Sequence, residues 1–281
     1  MKVTYQEEGH KYFDATGKEY ISVTTLISRY KEYFDVQFWS QYKAIERFFL
    51  EYKGDDTWVK TKRMVGYKSV NRFFRNYAKP AEKEIVKEFK KEILKDWDVI
   101  RDRACLEGNL YHASRELQWK ADMYHRIGGN IHFLRPQDLV DFDYHEIPDG
   151  VYSELLVYSN ELGVAGQADV VVVEKPYFDI GDYKTNKKME KVSYQNKRTG
   201  KYKMMLKPLQ KLMDCNFMHY QLQLSLYAFM LELHGLIARD LWIDHVQRKN
   251  GVLNPTLVER HPVLYLRDEV KRMLDHYRRK A

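Results

Sequence analysis

Two aspartates and a lysine stand out in the stretch Gly163 to Lys184, GVAGQADVVVVEKPYFDIGDYK. Asp169 ends the string GQAD, and Asp182 stands two residues before Lys184. Converging carboxylates are the ligands a hard divalent cation takes, and an ammonium beside them can stabilise charge building in a reaction. Their convergence depends on the elements that carry them. Gln167 to Glu174 is rich in valine and Phe178 to Lys184 alternates, patterns that predict two β-strands, with the turn at Lys175-Pro176. A two- or four-residue loop centred there sets Asp169 directly opposite Asp182, and directly opposed residues share a face. Lys184 joins Asp182 on that face while Tyr183 points away. Two like charges opposed on a half-buried sheet are unfavourable, and a divalent cation removes the conflict. An odd-length loop would move one carboxylate to the other face. The plainer alternative is a solvated hairpin in which Asp169 and Asp182 are strand-end residues and Lys184 is their ion-pair partner.

Other residues could join this group. His112 and Glu116 are four apart in the helical stretch EGNLYHASRELQWK, so they share a face and could point at one metal or form an ordinary ion pair. Glu154, on a predicted strand over Val151 to Ser159, is a carboxylate near the site or a salt-bridge partner. Gln223 and Tyr227 sit one turn apart on an apolar helix, Phe217 to Leu233, where a glutamine needs polar partners. Ser22, Thr24 and Thr25 precede an apolar run and read as helix caps; the functional alternative is a phosphate held by their hydroxyls and free N–H groups. From Lys184 to Lys211 the chain holds ten Lys or Arg against one acid, Glu190. With Tyr194, Tyr202, Met204 and Met205 interspersed, this segment is expected to be a mobile, non-packing arm over a nucleic-acid backbone, or else a solvated loop. Lys187, Lys188, Lys191, Lys197 and Arg198 are its candidate DNA contacts.

Composition narrows the classes. The 281 residues, 44% hydrophobic and 31% charged, suit one globular domain or a domain with an appended subdomain. The net charge of +7 favours a polyanionic partner. Two cysteines, Cys105 and Cys215, are too few for a disulfide framework and too far apart for a zinc motif. The absence of a bilayer-length apolar run or a signal-peptide core leads to an expected cytoplasmic location with no membrane partner.

In chain order, Val3 to Tyr20 predicts a hairpin turning at Asp14 to Gly17, followed by a short helix. Gln37 to Cys105 is helical by pattern, with Ile85, Phe89, Ile93, Trp97 and Ile100 forming a stripe on a helix opened by Pro80. Lys and Arg there alternate with Tyr67, Phe73, Phe74 and Tyr77, which suits either a strand-binding surface or a solvated basic face. Residues 121–149 read as a loop with a short helix at Pro136 to Tyr144. Strands Leu241 to Val246 and Thr256 to Tyr265, then helix Arg267 to Lys280, complete the chain.

In order along the chain, GNLYH (Gly108 to His112), GQAD (Gly166 to Asp169), DYKT (Asp182 to Thr185) and QLSLY (Gln223 to Tyr227) resemble the motifs of PD-(D/E)XK nucleases of the RecB-like exonuclease branch. ISVTTLI (Ile21 to Ile27) resembles the N-terminal segment of mitochondrial genome maintenance exonucleases and related phage proteins. Alanine rather than proline precedes Asp169. The resemblance implies a single nuclease domain over 1–281, with a restriction-endonuclease-like α/β core at 106–266: a mixed central sheet flanked by helices. A helical elaboration at 37–105 would shape the DNA channel. It implies Mg²⁺ or Mn²⁺ on Asp169, Asp182, His112 and the Tyr183 carbonyl. Lys184 would act on the attacking water or on the phosphorus, while Gln223 and Tyr227 steady the site. With two cysteines, no iron–sulfur cluster is expected. The implied activity is exonucleolytic hydrolysis of DNA from ends, single-stranded ones included, for recombination, repair or phage DNA processing in a bacterial or phage-infected cell. An endonuclease using the same residues, or a binding module without catalysis, is the alternative.

Overall fold

Runs of β-branched, aromatic and other apolar residues bounded by turns build the sheet, with the valine-rich stretch Val170–Val173 near its middle. The structure is a computed structural model that describes residues 3–6, 8–126, 147, 149–196 and 199–280, with side chains left aside at 119–126. It divides into two compact units: residues 1–32 with 107–281, and Tyr33–Leu106.

The first unit carries β1 (Val3–Gln6), β2 (Lys11–Asp14), β3 (Glu19–Ser22), β4 (Gly150–Ser159), β5 (Val164–Glu174), β6 (Tyr177–Lys184), β7 (Ile237–Lys249) and β8 (Val252–Pro262). These form one mixed eight-stranded sheet in the order β1-β2-β3-β5-β6-β7-β8, with β4 paired to β5. The β3–β5 and β6–β7 pairs are parallel and the others antiparallel. Helices α1 (Val23–Ser28), α6 (Asn216–Glu232) and α7 (Arg267–Arg278) supply its other packing layer. Leu222, Leu226 and Met230 of α6 are fully buried in one core with Val171, Ile180 and Ile243 of the sheet and Met273 of α7. Each such side chain contributes about 1.5–3 kcal/mol by leaving water.

The second unit holds α2 (Val36–Tyr52), α3 (Asp55–Val65), a 3₁₀ turn (Tyr67–Ser69), α4 (Val70–Tyr77) and the start of α5 (Pro80–Arg126). Its own core gathers Tyr42, Ile45, Phe48, Trp58, Phe74 and Phe89. The stripe predicted on α5 is used only in part, since Ile85, Phe89 and Ile93 pack there while Ile100 is exposed.

Several expectations change. Val3 to Tyr20, read as a hairpin, is part of a three-stranded meander, because Gly9 and His10 both turn the chain at positive φ between β1 and β2. Pro80 does open a helix, but that helix does not end near Cys105: α5 runs unbroken for 47 residues through His112. No proline or glycine breaks it before Gly108, and an isolated glycine costs only about 1 kcal/mol. The terminal strands form a longer hairpin, turned at Asn250-Gly251 with φ of 54° and 81°, the conformation that asparagine and glycine adopt in a two-residue turn. The segment after Lys184 does pack: Met205 and Leu209 are 2% exposed in the main core, Leu206 N–H donates to the Tyr30 carbonyl, and Asn216 holds Lys188 and Glu190. Two apolar anchors thus outweigh the flanking charges. The helix expected at Pro136 to Tyr144 lies outside the described residues.

Gly181 packs so closely on Trp242 that a methyl group there would overlap the indole ring. Gly181→Ala is expected to lower unfolding free energy by about 1–3 kcal/mol, as overpacked cores do. Urea denaturation checks this, and an unchanged midpoint would refute it.

Candidate metal centre

The pairing of β5 with β6 has the register expected from the sequence, with Glu174 opposite Tyr177 across the two-residue turn and Val170 opposite Gly181. Extending that register by one residue sets Asp169 against Asp182. The ladder stops just before this point, and Tyr183 N–H instead donates to Asp169 Oδ2 at 2.7 Å. The strand is interrupted for a second reason. β4 pairs along one edge of β5 on both sides of Asp169, so β3 and β6 share the other, at Val164–Ala165 and from Val170 onward. Between them β5 has no ladder partner on that edge.

The pleat also slips here. Val164 and Ala168 before Asp169, and Val171 and Val173 after it, all enter the same core, so the inward positions change from even to odd across Asp169. On β4, Tyr152 before and Leu155 and Val157 after Glu154 show the matching change. Glu154 has φ of 52°, and no pair joins it to Asp169 although Ser153–Val170 and Leu155–Ala168 pair on either side. A non-glycine residue in that conformation costs about 1–3 kcal/mol and is commonest at functional sites.

This irregularity turns Glu154 and Asp169 toward α5. His112 Nδ1 lies 3.5 Å from Glu154 Oε1 and 3.6 Å from Asp169 Oδ2. One ligand atom from each of the three residues falls within 4.8 Å of the others. Asp182, 1% exposed, lies outside that trio and contacts the Lys184 ammonium. Gln223 Nε2 is 3.4 Å from both Asp182 Oδ1 and Tyr227 Oη, and Lys184 Nζ stands 4.8 Å from the centre of the Tyr220 ring. Gly166 makes room for this arrangement, because a Cβ there would meet Tyr227 Cε1 at 2.7 Å.

Charge and burial compete throughout. Burial pushes the Asp182 carboxyl up to about 6 against the pull of Lys184, with the Asp169 charge adding to the rise. Burial likewise raises Asp169, while His112 and Lys184 act in the opposite sense. At His112 burial disfavours the cation, but the bond to Glu154 and the charges of Asp169 and Asp182 outweigh it and lift the imidazole to about 9. Lys184 shows the same contest: burial opposes its charge, and Asp182 and Asp169 prevail to raise its pKa. Three carboxylates and two cations therefore share a site whose inner acids, Asp169 and Asp182, are buried while His112 and Glu154 keep contact with solvent. The donor set, carboxylate oxygens with one imidazole, fits Mg²⁺ or Mn²⁺ through its oxygens, and a cation would take over the counter-charge that protons carry on the free protein.

The structure thus gathers Asp169, Asp182, Lys184, His112, Gln223 and Tyr227, and gives Glu154 a closer part than a neighbouring salt-bridge partner. Glu116 lies outside the trio although it shares a helix face with His112. Tyr220, which with Gln223 and Tyr227 interrupts the apolar run of α6 on one face, joins the group through Lys184. Tyr183 turns its side chain into a separate cluster with Tyr111, Val151, Val170 and Val246. Ser22 caps α1, accepting from Thr25 N–H at 3.0 Å and donating to Thr25 Oγ1 at 2.7 Å, with Thr24 Oγ1 3.3 Å away. Those bonds are the capping alternative; Thr24 and Thr25 are exposed and Ser22 is half-buried at the start of α1. Lys187, Lys188 and Lys191 are exposed beyond Lys184, whereas Lys197 and Arg198 lie outside the described residues. In the helical unit, Lys68, Arg72, Arg75 and Lys83 line a shallow cleft with Phe38 and Asn71. Phe74, read as a possible stacking residue, is instead buried. Both cysteines are free thiols, and no described helix is long and apolar enough to cross a membrane.

Glu154→Gln and Asp169→Asn should each weaken Mn²⁺ binding at least about tenfold, because each removes a charged ligand, while Glu116→Gln leaves it within about twofold. Calorimetric titration of the purified chain reads both, and equal losses from Glu116→Gln and Glu154→Gln would contradict the trio. Comparison with protein-family models and with curated protein sequences returns no match to this chain.

Proposed function

We propose that the chain is a metal-dependent nuclease of the PD-(D/E)XK type that hydrolyses DNA from its ends. The observation that carries this reading is the meeting of Asp169, Asp182 and Lys184 with His112 and Glu154 at the interrupted edge of β5. The ordered motifs of the sequence add the RecB-like assignment, and the mixed sheet flanked by helices is compatible with it.

Glu154, Asp169 and His112, with Asp182 beside them, would hold the cation. When bound, a divalent ion supplies Lewis acidity and neutralises charge on phosphoryl oxygens. The remaining work falls to the chain itself. Asp182 contact and the Tyr220 face fix the Lys184 ammonium, which can donate to a phosphoryl oxygen as negative charge grows there. Gln223, placed between Asp182 and Tyr227, restrains the Asp182 carboxylate from the helix side. Water adds to phosphorus, the bond to the leaving oxygen breaks, and that oxygen takes up a proton. Exposed Lys187, Lys188 and Lys191 extend positive charge from the site, which suits a phosphate backbone and predicts binding that weakens with salt. The cationic cleft of the helical unit has the same chemical preference.

The test is degradation of end-labelled linear DNA, single- and double-stranded, beside a closed circular single strand, with Mg²⁺ or chelator. Loss of linear DNA alone, chelator-sensitive and reduced about 10²–10³-fold in Lys184→Ala, is the expected outcome for a group that stabilises transition-state charge. Cleaved circles would make it an endonuclease. Salt-sensitive binding without cleavage of any substrate would make it a binding module.

A further inference from the structure

A second group of ligand-type side chains lies on the β7–β8 hairpin. The antiparallel register places His245 directly opposite Glu259, and His261 follows two residues later on the same face of β8. In the parallel pairing of β6 with β7, His245 is the partner of Lys184. One ligand atom from each of His245, Glu259 and His261 lies within 4.8 Å of the others. We infer that these three residues bind a divalent transition metal of the zinc class, at a site distinct from the carboxylate centre.

The hydrogen bonds around the group match what such a site needs. His245 Nε2 lies 2.8 Å from the Asn186 carbonyl, which can only accept, so Nε2 carries a proton and Nδ1 is the nitrogen left for a metal in the neutral ring. A metal-binding imidazole is oriented in this way by its other nitrogen. Glu259 Oε2 accepts from Gln247 Nε2 at 3.0 Å, while Oε1 stands 3.5 Å from His261 Nδ1. His261 is 3% exposed and its Nε2 is buried with no hydrogen-bond partner. An unsatisfied buried nitrogen is costly, and a metal held by Nε2 would answer it.

The donor set separates this site from the first. Two imidazoles and one carboxylate suit zinc-like ions, which accept nitrogen readily and four-coordinate geometry, rather than Mg²⁺. Three protein donors leave a fourth position for water, and the Glu259 side chain, 53% exposed, gives the ion a way in. The consequence is mechanical. A bound ion would tie β8 to β7 and, through His245 and the Asn186 carbonyl, to the segment that carries Lys187 and Lys188 away from Lys184. This inference stands whether or not the chain is a nuclease.

The experiment is calorimetric titration of Zn²⁺ into the chelator-stripped full chain, in wild type, Asp169→Asn, Glu259→Gln and His245→Gln, with melting temperatures measured alongside. Glu259 is largely exposed, so the metal-free Glu259→Gln protein should melt as wild type does. The inference expects one equivalent of Zn²⁺ that persists in Asp169→Asn, weakens at least about tenfold in Glu259→Gln and in His245→Gln, and raises the wild-type melting temperature. Zn²⁺ binding that is unchanged in Glu259→Gln and His245→Gln, or that vanishes in Asp169→Asn, would overturn it, as would no binding to the wild type.

Discussion

Asp169 and Asp182 are taken almost wholly out of water at the place where β5 lacks a partner on one edge. Removing a carboxylate from water costs several kcal/mol unless charge and hydrogen bonds compensate. The surroundings are arranged around that cost. Tyr183 N–H, spared from the ladder, bonds Asp169; Lys184 contacts Asp182; His112 reaches in from α5; Gln223 approaches from α6. Even so, compensation is incomplete, since both carboxyls stay above their ordinary range. A divalent cation would remove the repulsion among Glu154, Asp169 and Asp182 in one step, which is the physical ground of the proposed function.

The sheet's own defects create the opening. A regular β5 would alternate strictly, and its carboxylate at 169 would follow the side of the strand set by Val171 and Val173. The paired slip at Glu154 and Asp169 breaks that rule and turns the two acids toward His112. Strain at Glu154 is tolerated because the strands on both sides of it are paired and buried. Gly166 serves the same purpose on the helix side, where Tyr227 occupies the volume a side chain would need.

Much of this was legible in the sequence. The register at Asp169 and Asp182 followed from the even loop at Lys175-Pro176, and the apolar run of α6 with its lone glutamine pointed at Gln223. Pro80 marked the start of α5. Legibility failed where long-range packing decides. Nothing local announces that the pleat slips at Asp169, because the slip depends on β3, β4 and β6 meeting one strand together. The burial of Met205 and Leu209 was hidden by the ten cations around them, and charge density was a poor guide to packing there. The His245, Glu259 and His261 group was likewise unreadable. Glu259 and His261 are fourteen or more residues from His245, and only the hairpin register, signalled by Asn250-Gly251, brings them together.

The central claim is that the acids at the interrupted strand exist to hold a divalent cation beside Lys184. The most direct measurement is the anomalous difference map of a crystal soaked in Mn²⁺. The account predicts a manganese peak within bonding distance of Glu154 and Asp169, on the side facing His112, with Asp182 among its neighbours. A map with no peak there, and with Asp182 still in contact with Lys184, would contradict it.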